Sequence, residues 1–386
     1  MPSSKTKTLV LGGGVGGVVV ATELRKALPR EHSVSLVEKD SDYCFSPSYL
    51  WLMTNDRTPK QISRPMKGIT KHGVELLQGN ISTISPESRT ITMNGASHSA
   101  DYLVVSLGAE YSVQNVPGLA EAGLNLYTME GAAAIRDALP RIHRGRVVVL
   151  ISSMPFKCPA APYEAAMLLD SFFAKRGLRK DVEVAVYTPE PGPMPVTGPQ
   201  VSGQVKSILE SKNIRYFPQW TVKSVNPSQK QLLFASGETA PFDLLIYVPP
   251  HCAPAVVRES GLTGNGPWVQ VDRSTLETRF SGVYAIGDVT GIMLSNGKPL
   301  PKAGVFAHRQ AETVARRIAH AITGKGSPAV FDGHGECFLE VGHGRAGLGR
   351  GNFYAEPAPA VTMKSPSLWW HYGKVFYEKY WLYKWY

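Results

Sequence analysis

Two kinds of residue in this chain have the types and spacing to do chemistry: glycines set to admit a phosphate, and cysteines scattered too widely to be a scaffold. Gly12, Gly14 and Gly17 follow the apolar run Leu9-Val10-Leu11 and precede a helical pattern through Leu24 to Leu28. Glycine is required there because the turn after the strand is tight, a pyrophosphate must approach the backbone, and the helix packs on the strand. The free N–H groups of the helix N-terminus then face the phosphates. A second apolar run, Ser33 to Val37, ends at Glu38, 21 residues after Gly17, where a carboxylate accepts the ribose hydroxyls of an adenosine.

The same glycine pattern serves NAD and FAD, so later segments must separate them. Tyr102 to Val105 runs into the small-residue turn Ser106-Leu107-Gly108-Ala109, and Gly282 to Gly287 repeats that pattern with Asp288 at its end. The pair resembles the signatures of flavoproteins with two dinucleotide domains, in which the acid holds the ribityl-phosphate part of FAD. Gly108 and Asp288 stand in those places, and FAD is the expected cofactor.

The middle of the chain starts the unit again with the strand Arg146 to Ile151, but the glycine loop is gone. Its place is taken by Ser152-Ser153-Met154-Pro155-Phe156-Lys157-Cys158-Pro159-Ala160-Ala161-Pro162-Tyr163-Glu164. Three prolines and bulky side chains close the approach a phosphate would need. The next strand, Val182 to Tyr187, ends in Thr188-Pro189 and not in an acid. A Rossmann shape without a pyridine nucleotide is expected. Cys158 sits just before Pro162 and an apolar helix pattern, so the helix N-terminus and Lys157 are expected to favour its thiolate.

At this point the sequence resembles sulfide:quinone oxidoreductases, with the flavin subunit of flavocytochrome c sulfide dehydrogenase as kin. The resemblance rests on Lys157 to Glu164, Tyr187-Thr188-Pro189 with Met194-Pro195-Val196, Pro249-Pro250-His251, Ala285 to Asp288, Leu300 to His308, Cys337, and Gly373 to Tyr380. It runs through essentially the whole chain. The resemblance implies a redox-active disulfide or polysulfide bridge between Cys158 and Cys337, with Cys158 the persulfide carrier and Cys337 the thiol nearer the flavin. It implies hydrosulfide as the attacking anion, Lys302 near the flavin ring, Glu164 as a proton donor to the reduced quinone, and Lys374, Phe376 and Tyr377 beside the quinone. Many relatives have a third cysteine where this chain carries Tyr127, which leaves the length of the sulfur product open. Cys44 and Cys252 read as packing thiols, and no metal site is expected because no two cysteines form a CxxC pair.

The last 19 residues hold 10 aromatics, of which Tyr372, Phe376, Tyr380 and Tyr383 recur on one helical face, with Lys374, Lys379 and Lys384 interspersed. Interfacial aromatics and snorkelling lysines predict a helix lying in the plane of a membrane surface. The N-terminal residues do not look like an export signal, and no run of about 18 apolar residues suits a membrane span. With 43% hydrophobic and 19% charged residues the chain is globular, and its +10 net charge suits hydrosulfide and a lipid surface, with no nucleic-acid partner expected. A homo-oligomer remains open.

The elements that must position these residues therefore form an α/β fold. It comprises an FAD-binding Rossmann domain over 1–112 and 277–330, a second Rossmann-like domain without an NAD site over 113–276, and a C-terminal quinone- and membrane-binding region over 331–386. The function expected is membrane-associated oxidation of sulfide to polysulfide or sulfur with electrons passed to a quinone. The alternatives are a flavin subunit that reduces a cytochrome c, a type II NADH:quinone oxidoreductase, which the missing glycine loop opposes, and a flavin-binding regulator without catalysis.

Overall fold

A computed structural model describes residues 5–386. Near-continuous runs of valine and leucine make the strand Lys7–Leu11 the centre of a parallel sheet, because both of its faces are covered. Ser33–Glu38 and Tyr102–Val105 flank it in register, with Val10 opposite Leu36 on one side and Val104 on the other. Glu75–Gln78 and Val283–Ala285 complete the sheet at its two edges. The last of these strands comes from far down the chain, and it carries Asp288 to the same sheet end as the glycine turn.

A second parallel sheet has Gly145–Ile151 at its centre, between Leu244–Val248 and Val182–Tyr187, with Gly123–Asn125 and Arg215–Phe217 outermost. Both sheets are therefore doubly wound. The helix Ala161–Lys175 leaves the loop of Cys158, buried along nearly its whole length.

The acid missing from the second domain exists two residues further on, turned inward. Glu190 is buried, and it accepts hydrogen bonds from the phenol of Tyr163 and from Thr188 Oγ1 (3.2 Å). The chain's own side chains so take up this acid. Burial pushes the Glu190 carboxyl up to about 7, although its hydrogen bonds oppose this. An acid whose folded value is raised binds its proton more tightly in the folded state, so that contribution to stability is full below the unfolded value of about 4.5 and fades as pH rises through 7. Glu190→Gln removes the penalty. At pH 8.5 it should stabilise the protein by about 2 kcal/mol, roughly 4–8 °C in thermal unfolding, with little effect at pH 5.

The C-terminal region is a three-stranded antiparallel sheet, His334–Gly342, Arg345–Asn352 and Ala360–Ser367, followed by the helix Leu368–Trp385. Ser367 caps that helix, its hydroxyl accepting from the Trp370 N–H. The helix is anchored by charges turned inward. Glu378 is fully buried and receives Arg57 Nε at 3.0 Å on both oxygens and Ser48 Oγ at 2.7 Å, while Trp381, Leu382 and Trp385 pack into the core beneath the first sheet. Outside stand Trp369 (82% exposed), Tyr372, Phe376 (71%), Tyr380 and Tyr383 (82%). No helix among the described residues is long and apolar enough to cross a membrane.

Candidate functional site

The glycine turn fits a dinucleotide. Gly12 has φ +95°, and a Cβ there would stand 2.7 Å from the Ser106 carbonyl oxygen, while one on Gly17 would lie 1.8 Å from the Gly12 oxygen. Gly14 and Gly108 (φ +69°) face open space, as residues beside a ligand backbone must. Glu38 reaches back to the turn and accepts from the Gly13 N–H at 2.6 Å, which places its carboxylate at the mouth of the glycine turn. At the same end of the sheet, after its edge strand, Asp288 Oδ1 is buried with no hydrogen-bond partner. A buried orphan carboxylate oxygen is costly, and a cofactor hydroxyl would satisfy it. The residues present fit FAD.

Lys302 is buried, and its ammonium donates to the carbonyls of Asp288 (2.7 Å) and Thr290 (2.8 Å) over the ring of Trp268, 3.4 Å from its centroid. Burial lowers its ionisation to about 8. Its visible role is to fix the turn that carries Asp288. The same segment holds Cys158: the Cys158 N–H donates to the Lys302 carbonyl at 2.6 Å, and its own carbonyl accepts from Ala161 N–H (2.9 Å) and the Tyr127 hydroxyl (3.2 Å). Tyr127 is thus a strut for the Cys158 loop. These bonds hold Cys158 at φ +47°, a left-handed conformation a non-glycine residue adopts only under constraint.

Cys337 lies on the strand His334–Gly342 opposite Gly349, its side chain open at the cleft. Glu164, in the first turn of the helix after Cys158, is buried and ties the two cysteine-bearing elements together, for its Oε1 accepts from the Glu340 N–H at 2.7 Å. The same oxygen takes Lys374 Nζ from the C-terminal helix at 2.7 Å. Burial alone would lower Lys374, but Glu164 and then Glu340 outweigh it and hold the ammonium above its ordinary value. All four cysteines are free thiols here.

The thiolate expected of Cys158 is corrected by this environment. Burial first, then the neighbouring Cys337 and Glu164, push its thiol well above the usual range, and Lys374 opposes them. Lys157 makes no ion pair with it; its ammonium lies 5.1 Å from the ring centroid of Tyr111 and 6.0 Å from that of Tyr127. Cys337 is pushed up to about 11 by loss of water within the cleft and by Glu164, again against Lys374. One cation, Lys374, therefore serves both thiols.

Lys374 is also corrected as a snorkelling residue: it is buried, and the helix turns it away from solvent. Tyr377 faces Cys337 and Glu336, the groups that follow burial in raising its phenol. Phe376 is not brought to this cluster but stacks on Tyr380 at 6.1 Å on the outer face. Cys44 and Cys252 are elsewhere, beside Ser63 (3.5 Å) and Ser112 (3.0 Å). Sequence reasoning missed Glu340, which hydrogen-bonds His371 Nδ1 at 3.0 and 3.1 Å; its place three residues past Cys337 on the same strand was the one signal. His251, quoted above only within its Pro-Pro-His motif, stands between the rings of Tyr111 and Tyr127, 5.0 and 5.4 Å away.

Residues 6–311 match the model of the pyridine nucleotide-disulphide oxidoreductase family. The chain is 26% identical over 394 residues to the sulfide-quinone reductase of Aquifex aeolicus, covering 97% of this chain and 90% of that protein. Identity to the mitochondrial sulfide:quinone oxidoreductase of Mus musculus is 24% over 365 residues, covering 91% and 79%. The X-ray structure of the Aquifex aeolicus sulfide:quinone oxidoreductase superposes with a TM-score of 0.89 at 26% identity, covering 99% of this chain and 91% of that one.

Proposed function

Since the chain belongs to the pyridine nucleotide-disulphide oxidoreductase family and is an FAD-dependent oxidoreductase, we propose that it oxidises sulfide and passes the electrons to a quinone at a membrane surface. The observation that carries this is the convergence of Cys158, Cys337 and the Glu164–Lys374 ion pair, built on the loop that in a nucleotide-binding domain would hold phosphate. FAD supplies two-electron acceptance between sulfur and quinone; Gly12, Gly14, Gly17, Glu38, Gly108 and Asp288 would hold it.

In the oxidised protein Cys158 and Cys337 form the bridge. Hydrosulfide attacks the Cys158 sulfur, a new S–S bond forms to give a persulfide there, and the Cys158–Cys337 bond breaks with its electron pair leaving on Cys337. The nearby Glu164 carboxylate disfavours that thiolate, and the ammonium of Lys374 offsets it. Closure of an S–S bond between the Cys158 persulfide and the Cys337 thiolate releases a proton and the two electrons that bound FAD would accept, and a second hydrosulfide or another sulfur acceptor takes up the bound sulfur as the Cys158–Cys337 bridge re-forms. Lys374 and Tyr377 border the quinone site on the side of the C-terminal helix, Glu164 holds Lys374 there, and the outward aromatic face, Phe376 included, gives the quinone an apolar approach from lipid. The second Rossmann domain does not take a nicotinamide cofactor, because Glu190 and Tyr163 are bonded to each other.

The test is anaerobic flavin absorbance. Sulfide should bleach the oxidised flavin within seconds and a quinone should restore it, while NADH leaves it unchanged. Bleaching by NADH and not by sulfide overturns the reading.

A further inference from the structure

The oxidation written above has a proton balance. Hydrosulfide yields sulfur, one proton and two electrons, and a quinone takes two electrons and two protons, so each turnover draws one proton from solvent: HS⁻ + H⁺ + quinone gives sulfur and quinol. The Glu164–Lys374 pair is buried and has no surface of its own from which to take that proton. One path out of it is built. Glu340, 1% exposed, donates its N–H to Glu164 Oε1 at 2.7 Å and helps hold the Lys374 ammonium charged, and its carboxylate receives His371 Nδ1 at 3.0 and 3.1 Å. His371 is 23% exposed at the side chain, one helical turn before Lys374 on the same helix.

We propose that His371 and Glu340 are the proton entry of the quinone site, relaying protons from solvent to Lys374 and Glu164. This deepens the function proposed above and rests on its quinone half. An imidazole can take a proton from water on one nitrogen and release one from the other. Among the described residues Glu340 forms an ion pair with His371 alone and acts on Lys374 through charge, and a carboxylate kept at 1% exposure without a compensating role is a burden on stability. Trp51 closes the side of the path. Its ring meets the His371 ring edge-on at 6.0 Å and the Lys374 ammonium at 5.2 Å, and Arg57 covers it at 4.6 Å. The charged groups facing the relay are therefore Glu164, Glu340, Lys374 and Arg57, with Tyr372 beside the imidazole. His371 touches neither sulfur nor cofactor in this scheme. It is a positioning and proton-carrying residue acting through Lys374.

The test separates the two halves of the reaction in the FAD-loaded protein. His371→Ala and Glu340→Gln should leave bleaching by sulfide within about twofold of wild type and slow reoxidation by a quinone about tenfold in dilute buffer, as for loss of an assisting acid. Added imidazole should restore the His371→Ala rate, which no structural defect would permit. Unchanged reoxidation, or slow reoxidation that imidazole does not rescue, overturns the relay. Equal loss of bleaching and reoxidation overturns it too, by making the residues structural. Reducing the flavin with dithionite lets the quinone half be measured even where sulfide fails to bleach wild type, so a failure of the sulfide reading and a failure of the relay are told apart.

Discussion

Cys158→Ser and Cys337→Ser should each abolish bleaching of the flavin by sulfide, on the order of 10³-fold or more, while FAD stays bound and the protein stays folded. Serine oxygen cannot form the S–S bond that hydrosulfide attacks, nor leave as the stabilised anion that the step needs. Neither of the remaining cysteines can substitute, because Cys44 and Cys252 are hydrogen-bonded at Ser63 and Ser112, away from the cleft. Folding is spared because the loop is held by main-chain bonds from Cys158 to Lys302 and Ala161, which serine keeps. FAD is spared because its proposed cradle is the glycine turn and Asp288. Stopped-flow absorbance with sulfide, beside the flavin content of each variant, reads both. Normal turnover in either variant would remove the cysteine pair from the mechanism.

The second large effect concerns the membrane. Replacing Trp369, Phe376, Tyr380 and Tyr383 together by serine should weaken binding to phospholipid vesicles about a thousandfold, taking roughly 1 kcal/mol for each ring half-sunk in the interface. These four point outward and touch little of the protein, so thermal stability should hardly move. Cutting the chain after Ser367 is the wrong experiment. It would strip Trp381, Leu382 and Trp385 from the core and leave Arg57 and Glu164 without their partners, a loss of several kcal/mol that mimics any phenotype. Unchanged vesicle sedimentation of the fourfold variant would dismiss the anchor.

The flavin half of the site was legible early because its requirements are local. A tight turn, a close phosphate and a following acid impose residue types at short spacings, and Gly12, Gly14, Gly17 and Glu38 meet them within one strand–helix–strand unit. The aromatic face of the tail was legible for the same reason, since a helix repeats its face every three to four residues. Cys158 stood out only by replacing glycines that a Rossmann loop should have. The Glu190–Tyr163 bond escaped notice because it joins a loop to a helix across the domain, and nothing in the spacing shows which way a side chain turns.

What the sequence by itself determined is the kind of protein: two Rossmann sheets, FAD on one, and no glycine loop on the other, where Cys158 stands instead. Tertiary structure decided how those groups behave. Lys374, in a tail that reads as lipid-seeking, is drawn inward because Glu164, 210 residues away, offers it a buried carboxylate at 2.7 Å. Cys158, beside a lysine in the chain, is a dry thiol because Lys157 turns to Tyr111 and burial outweighs the helix N-terminus. Charge written along a chain carries no information about solvation. Only packing sets which charges keep their water and which must find a partner, and in this site that choice places one ammonium beside both sulfurs.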